Sequence, residues 1–193
     1  MRSFIVVIII ISLQNINCRT KNNLNKFPEL VFRYDKSLLL PTSNFENLSF
    51  SIPLNFEKVS GDKYLSVVKK LEANRDSYFD KDILSIYQHS DGHVIIISKI
   101  NDSKNIYGRL NKDFELGLIE ISGASETNRG QFLIDNKETV QYITTYNTFV
   151  NYKLFFDILK NKCYQIDYFI PLNKFITFQS SVEASISTFK IKK

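Results

Sequence analysis

Histidine and cysteine are scarce in this sequence, with two of each in 193 residues. His89 and His93 sit close together, so a Ser-His-Asp or Cys-His arrangement would have to reach that one spot. Nothing in the sequence brings Cys163 or a serine there. There is no Cys-x-x-Cys pair and no Gly-rich phosphate loop. The chain has no long apolar run either: Phe4 to Leu13 (FIVVIIIISL) is too short for a mature membrane span, which needs about 20 residues. Nor is one sign of charge concentrated. The formal charge is +5, and the basic residues are scattered apart from Lys190, Lys192 and Lys193 at the end. Scattered surplus charge describes a solvated surface, so no nucleic acid is expected as a partner. No repeat and no low-complexity block interrupts the chain. What is present is a globular composition, 44% hydrophobic and 23% charged, with 16 Phe and 10 Tyr. That suits one domain with a real core.

The first residues read as a targeting segment. Arg2 supplies a positive start, and the apolar run follows it. No A-x-A-like site comes next. Instead Cys18 stands just beyond the run, preceded by Asn15, Ile16 and Asn17. This resembles a bacterial lipoprotein signal, in which cleavage leaves the cysteine to carry lipid. The expected division is a signal peptide over 1–17, a lipid-anchor cysteine and tether over 18–47, and a single α+β domain over 48–193. The expected location is the bacterial cell envelope, with a secreted or periplasmic protein as the alternative. Lipid on Cys18 leaves Cys163 alone, read as a small, partly buried strand residue. Asn47-Leu48-Ser49 and Asn101-Asp102-Ser103 are glycosylation acceptors only in a eukaryotic source.

Residues 27–47 are mixed and read as extended, with Pro28 and Pro41 breaking any long element. Leu48 to Leu54 alternates as a strand, and Pro53 restricts it to an edge or an end. After the Ser60-Gly61-Asp62 turn, Tyr64, Leu65, Val68 and Leu71 fall on one helical face, predicting a helix from Asp62, a candidate N-cap, to about Tyr78. Ile83 to Gln88 and Val94 to Ile100 flank Ser90-Asp91-Gly92, a hairpin signal because Gly accepts the positive φ of the turn. Residues 101–130 are the least readable: Phe114, Leu116, Leu118, Ile119 and Ile121 suggest a short strand or helical turn, and Ser122 to Gly130 a loop.

Glu138 to Ile170 is the most regular stretch, three alternating runs that make an antiparallel meander. Apolar residues take the even positions, among them Val140, Tyr142, Tyr146, Val150, Tyr152, Leu154, Phe156, Tyr164, Ile166, Tyr168 and Ile170. Tyr152, Leu154, Phe156, Ile166 and Tyr168 are the expected core. Keeping the even positions on one face requires odd loops. Asn147-Thr148-Phe149 would set Tyr146 opposite Val150 and Ile143 opposite Lys153. Lys160-Asn161-Lys162 would set Leu159 opposite Cys163, Phe156 opposite Ile166, Leu154 opposite Tyr168, Phe155 opposite Asp167 and Lys153 opposite Phe169. Phe175, Phe178, Val182, Ile186 and Phe189 then recur at helical spacing, a closing helix near 174–189 that must bury its stripe on the even face.

The fold class expected is α+β: an antiparallel sheet with an N-terminal hairpin and a C-terminal three-strand meander, packed by helices near 62–78 and 174–189. Ser51-Ile52-Pro53-Leu54 opening the domain, the 138–170 meander, and the closing helix with Val182, Glu183, Ala184, Ser185, Ile186 and Phe189 carry a resemblance. From Leu48 to Lys193 the chain resembles the PsbP/DcrB-like family, which includes many exported bacterial lipoproteins. The resemblance implies a PsbP-like sandwich and an accessory or binding role at an envelope or thylakoid surface, with no shared catalytic motif. The 101–130 insert departs from the compact family pattern.

Two clusters compete as sites. His89 and His93, with Asp91 between them, are a metal set if the loop has three residues and the histidines pair directly; a two-residue Asp-Gly loop puts them on opposite faces. Two histidines on a mobile tip make a weak site, so no metal and no cofactor is expected. The odd face of the meander mixes Ile143, Phe155 and Phe169 with Lys153, Asp157 and Asp167. Either a helix or the 101–130 insert covers it, or it is a partner-binding surface of Lys153, Phe155, Asp167 and Phe169, with the two rings as anchors in a charged rim. Asp157 and Asp167 read as solvated strand charges. The functional expectation is a lipid-anchored, non-enzymatic binding or accessory module for another envelope protein. A carrier or sensor of a small apolar ligand is the alternative, and an enzyme the least expected.

Overall fold

The computed structural model describes residues 34–73, 79–101, 104, 106–120, 123–159 and 162–191. Residues 1–33, and with them Cys18 and the signal-like run, lie outside the described residues. The first strands are β1 (Leu39–Phe45), β2 (Leu48–Pro53) and β3 (Phe56–Lys58), followed by helix α1 (Gly61–Ala73). The hairpin β4 (Lys81–His89) and β5 (Val94–Ile100) leads to the short helices α2 (Ile106–Arg109) and α3 (Lys112–Glu120). Four consecutive strands then form an up-and-down ribbon: β6 (Glu126–Ile134), β7 (Lys137–Thr145), β8 (Phe149–Leu159) and β9 (Lys162–Pro171). Helix α4 (Phe175–Ser187) and a last short strand, β10 (Lys190–Ile191), close the chain.

Every strand pairing is antiparallel, in a seven-stranded sheet of order β3-β4-β5-β9-β8-β7-β6 and a three-stranded sheet of order β1-β2-β10. The protein is therefore the α+β fold that alternation and the two helical stripes predict. Each face of the large sheet has its own core. On one face Tyr87, Ile95, Ile97, Tyr152, Leu154, Phe156, Ile166 and Tyr168 meet Val182 and Ile186 of α4 and Leu48, Phe50 and Ile52 of β2. All five expected core residues are buried there. Ser185 Oγ of α4 donates to the Ser51 carbonyl at 2.6 Å and lies 2.9 Å from the Tyr168 hydroxyl, so one serine links both sheets to the helix. The Tyr164 hydroxyl reaches out of the large sheet to Glu46, in the β1–β2 turn, at 2.9 Å. On the other face α2, α3 and the turn between them bring Ile106, Leu110, Phe114 and Leu118 onto Val140, Tyr142, Phe155 and Cys163.

Several expectations are corrected. Residues 39–45, counted with the tether, form β1 and pair with β2. Residues 126–130, read as loop, begin β6, which pairs with β7 and extends the meander to four strands. Their polar side chains hide an edge strand, where alternation has no buried side to betray it. The stretch Lys112–Glu120 is helical, capped by Asn111, whose Oδ1 accepts from the Asp113 and Phe114 amides. Helix α1 starts at Gly61, and residues 74–78 of its expected span lie outside the described residues. Leu65 is 56% exposed, off the buried side of the helix.

The meander register differs at both turns. The β7–β8 ladder runs Ile143↔Tyr152 and Thr145↔Val150. The Tyr146 amide donates to the Phe149 carbonyl at 2.8 Å, so Asn147-Thr148 is a two-residue turn with the Tyr146 and Phe149 rings stacked across it at 4.3 Å. An even loop reverses the parity of β7. Val140 and Tyr142 therefore turn to the second face, and Ile143 to the first. The β8–β9 ladder runs Leu154↔Ile166 and Phe156↔Tyr164, two residues from the expected register, which leaves the faces unchanged. That slip sets Lys153 opposite Asp167, and pairing two charges that are both buried is its physical reason.

Candidate functional site at the β4–β5 hairpin

The expected partner surface is not open. Phe155 is 0% exposed beneath Phe79 and Phe114, with ring centroids 5.6 and 5.8 Å away. Lys153 Nζ lies 2.7 Å from Asp167 Oδ1, and both residues are buried. Gln165 Nε2 donates to Asp167 Oδ2 at 2.6 Å, and Asn151 Nδ2 to Oδ1 at 3.3 Å. Burial alone would raise the Asp167 pKa, but Lys153, Lys81 and the Gln165 hydrogen bond outweigh it and hold the carboxyl below its ordinary range. Asp167 is thus a buried, paired ion, not a solvated strand charge. Phe169 is half-buried beside Phe149. Phe155 cannot serve as an exposed anchor, and covering by the insert is the outcome for that part of the face. Cys163 is fully buried in the same core.

The hairpin tip is more organised than its sequence suggests. The His89 amide donates to the His93 carbonyl at 2.9 Å, and the Gly92 amide to the His89 carbonyl at 3.0 Å. This is the three-residue loop, Ser90-Asp91-Gly92, with Gly92 at φ +89. Only glycine takes that backbone without strain. His89 and His93 pair directly, and their ring centroids are 5.1 Å apart. His93 is 2% exposed and stacks on Phe178 of α4 at 4.0 Å and 14°. Its Nδ1 is buried with no hydrogen-bond partner. Leaving such a nitrogen unsatisfied costs about 1–3 kcal/mol. Burial, and then the proximity of His89, pushes the His93 pKa below its usual value of 6.5, so the ring is neutral at pH 7. His89 is half-buried, and its Nδ1 accepts from the Asp91 amide at 3.0 Å. Asp91 is exposed and pairs with Lys174, just before α4, at 3.4 Å. One ligand atom from each of His89, Asp91 and His93 falls within 4.8 Å of the others. The signal for this was available: His93 is in phase with the core residues Ile95 and Ile97, and His89 with Tyr87.

Beside the tip lies an open cleft of about 790 Å³, bordered by His89 and Ser90 together with Leu54, Phe56, Glu57 and Lys63. Its walls mix charged and apolar groups. Near the same end, Leu172 is 43% exposed and Ile176, on the first turn of α4, is 89% exposed. The Leu172 amide donates to the Thr148 carbonyl at 2.9 Å, which fixes this segment against the β7–β8 turn. Among the described residues no helix is long and apolar enough to cross a membrane.

No protein-family model and no curated protein matches the sequence. Among solved structures, the chain is similar to cyanobacterial PsbP from Synechocystis sp. PCC 6803, with 12% identity over 90% of this chain and 98% of that one, at a TM-score of 0.47. The chain resembles PsbP. It is also similar to a protein from Bacteroides thetaiotaomicron VPI-5482, with 12% identity over 76% of this chain and 46% of that one, at a TM-score of 0.39. This likeness transfers no activity.

Proposed function

We propose that this protein is a lipid-anchored module of a bacterial cell envelope that binds another envelope protein and performs no chemistry of its own. The anchor rests on the sequence, on Cys18 placed just after a short apolar run. The observation that carries the binding role is Ile176. Ile176 is 89% exposed and Leu172, four residues earlier, 43% exposed, an apolar pair facing water that a partner could cover. Charged groups, Lys174 and Asp91, stand close by. Apolar anchors inside a polar rim are how protein interfaces are built.

The test is crosslinking and pull-down from intact cells. Leu172→Ser with Ile176→Ser should abolish capture of the partner while the melting temperature stays within about 2 °C of wild type, as expected for exposed positions. Cys18→Ser should move the protein from the membrane to the soluble fraction. Capture unchanged in the double variant defeats the docking surface, and membrane association unchanged in Cys18→Ser defeats the anchor.

A further inference from the structure

We propose that His89, Asp91 and His93 form a binding site for a divalent cation of the zinc type. This goes beyond the binding role above and does not depend on it. Two imidazoles and a carboxylate are a donor set that suits zinc, with nickel and copper as its competitors.

Three observations converge on the tip. The first is spacing. The three ligand atoms lie within 4.8 Å of one another. Tetrahedral zinc at ordinary bond lengths holds its ligand atoms about 3.3 Å apart. The widest pair must close by about 1.5 Å. Asp91 is exposed and His89 only half-buried, so both have room to make that movement. The second is the buried Nδ1 of His93, which has no partner in a ring held flat against Phe178. The third is the orientation of His89. Its Nδ1 accepts a hydrogen bond from the Asp91 amide, so this ring turns a lone pair toward the loop. Coordination there would return the amide of Asp91, an exposed residue, to water.

The fold sets the geometry in advance. The three-residue loop places both histidines on one side of the hairpin, and α4 packs Phe178 against His93. Lys174 pairs with Asp91 at 3.4 Å, but both side chains are about half exposed, so the carboxylate is easily released. Three protein ligands leave a fourth position for water or for a group of a partner, and His89 also borders the cleft.

The experiment uses the untagged full chain, stripped of metal and titrated with Zn²⁺ against a chromophoric chelator. The wild type should bind one Zn²⁺ per chain, with a shift of the imidazole nitrogen resonances of both histidines. Asp91→Asn and His89→Ala, whose side chains are not sealed in the core, should each weaken binding by about 10–100-fold, at least what loss of an outer-shell partner costs. Their metal-free melting temperatures report whether they are folded. Absence of stoichiometric Zn²⁺ in the wild type overturns the site. So does binding that changes by less than about threefold in both folded variants, which would place the ion elsewhere.

Discussion

The two faces of the seven-stranded sheet are both sealed, but by different chemistry. The face under α4 is filled by aliphatic and aromatic side chains from alternate positions, among them Leu154, Ile166 and Val182. Among the described residues its polar crossings include the Tyr168–Ser185–Ser51 chain of hydrogen bonds and the Tyr164–Glu46 bond. The face under α2 and α3 shares its area between a smaller apolar cluster around Phe155 and a buried polar row of Asn151, Lys153, Gln165 and Asp167. An apolar face tolerates small errors of fit at a graded cost. A face holding a buried ion pair is all-or-none, because either charge left alone is desolvated without compensation.

The largest expected effect therefore comes from halving the ion pair. Lys153→Met should destabilise the protein by about 3–5 kcal/mol by leaving the buried Asp167 without its ion-pair partner. Lys153→Met combined with Asp167→Leu should recover part of that loss, ending about 1–3 kcal/mol below wild type because the buried Asn151 and Gln165 amides lose their acceptor. Equilibrium denaturation of the three proteins measures this, and a double variant no better than the single one removes the distinction between the faces.

Phe155→Ala comes next, at about 3–5 kcal/mol, with Leu154→Ala on the opposite face at about 2–5 kcal/mol. A mild Phe155→Ala would mean that the α2–α3 cover is loosely held. Acid unfolding sharpens the comparison further. The Asp167 pKa is lowered on folding, so the stability it contributes is complete above its unfolded value near pH 3.9 and is lost as pH falls through the folded value. Stability below pH 4 should thus fall more steeply in wild type than in the Lys153→Met, Asp167→Leu protein. The smallest effect should be that of Tyr168→Phe, about 1 kcal/mol for the lost hydroxyl hydrogen bond, since the ring stays in place.

The legibility of the sequence follows the same division. Period-2 alternation and the Phe175–Phe189 stripe locate the α4 face almost residue by residue, because water exclusion leaves a direct mark on the pattern. The second face is harder, since a strand buried on both sides does not alternate. Alternation puts Tyr142 on the same face as Tyr152, and only the two-residue turn at Asn147-Thr148 turns it toward Phe114. Lys153 and Asp167 looked solvated because charges usually are; their two-residue shift into register could have been found by asking which pairing neutralises them. The first half of the edge strand β6 carries Glu126, Asn128 and Arg129, and such polar residues up to Gly130 read as loop. At the hairpin tip both loop lengths fit the sequence, and the phase of His93 with Ile95 was the clue to its burial.

The partner surface we propose is the end of the molecule around the exposed Ile176. The most direct measurement is site-specific photo-crosslinking in intact cells, with the crosslinking residue placed at Ile176 or at Ile119, which is 40% exposed on the α3 side. The account predicts a discrete adduct from position 176, none from position 119, and loss of the 176 adduct when Cys18→Ser releases the protein from the membrane. Equal adducts from both positions, or an adduct from 119 alone, would contradict it.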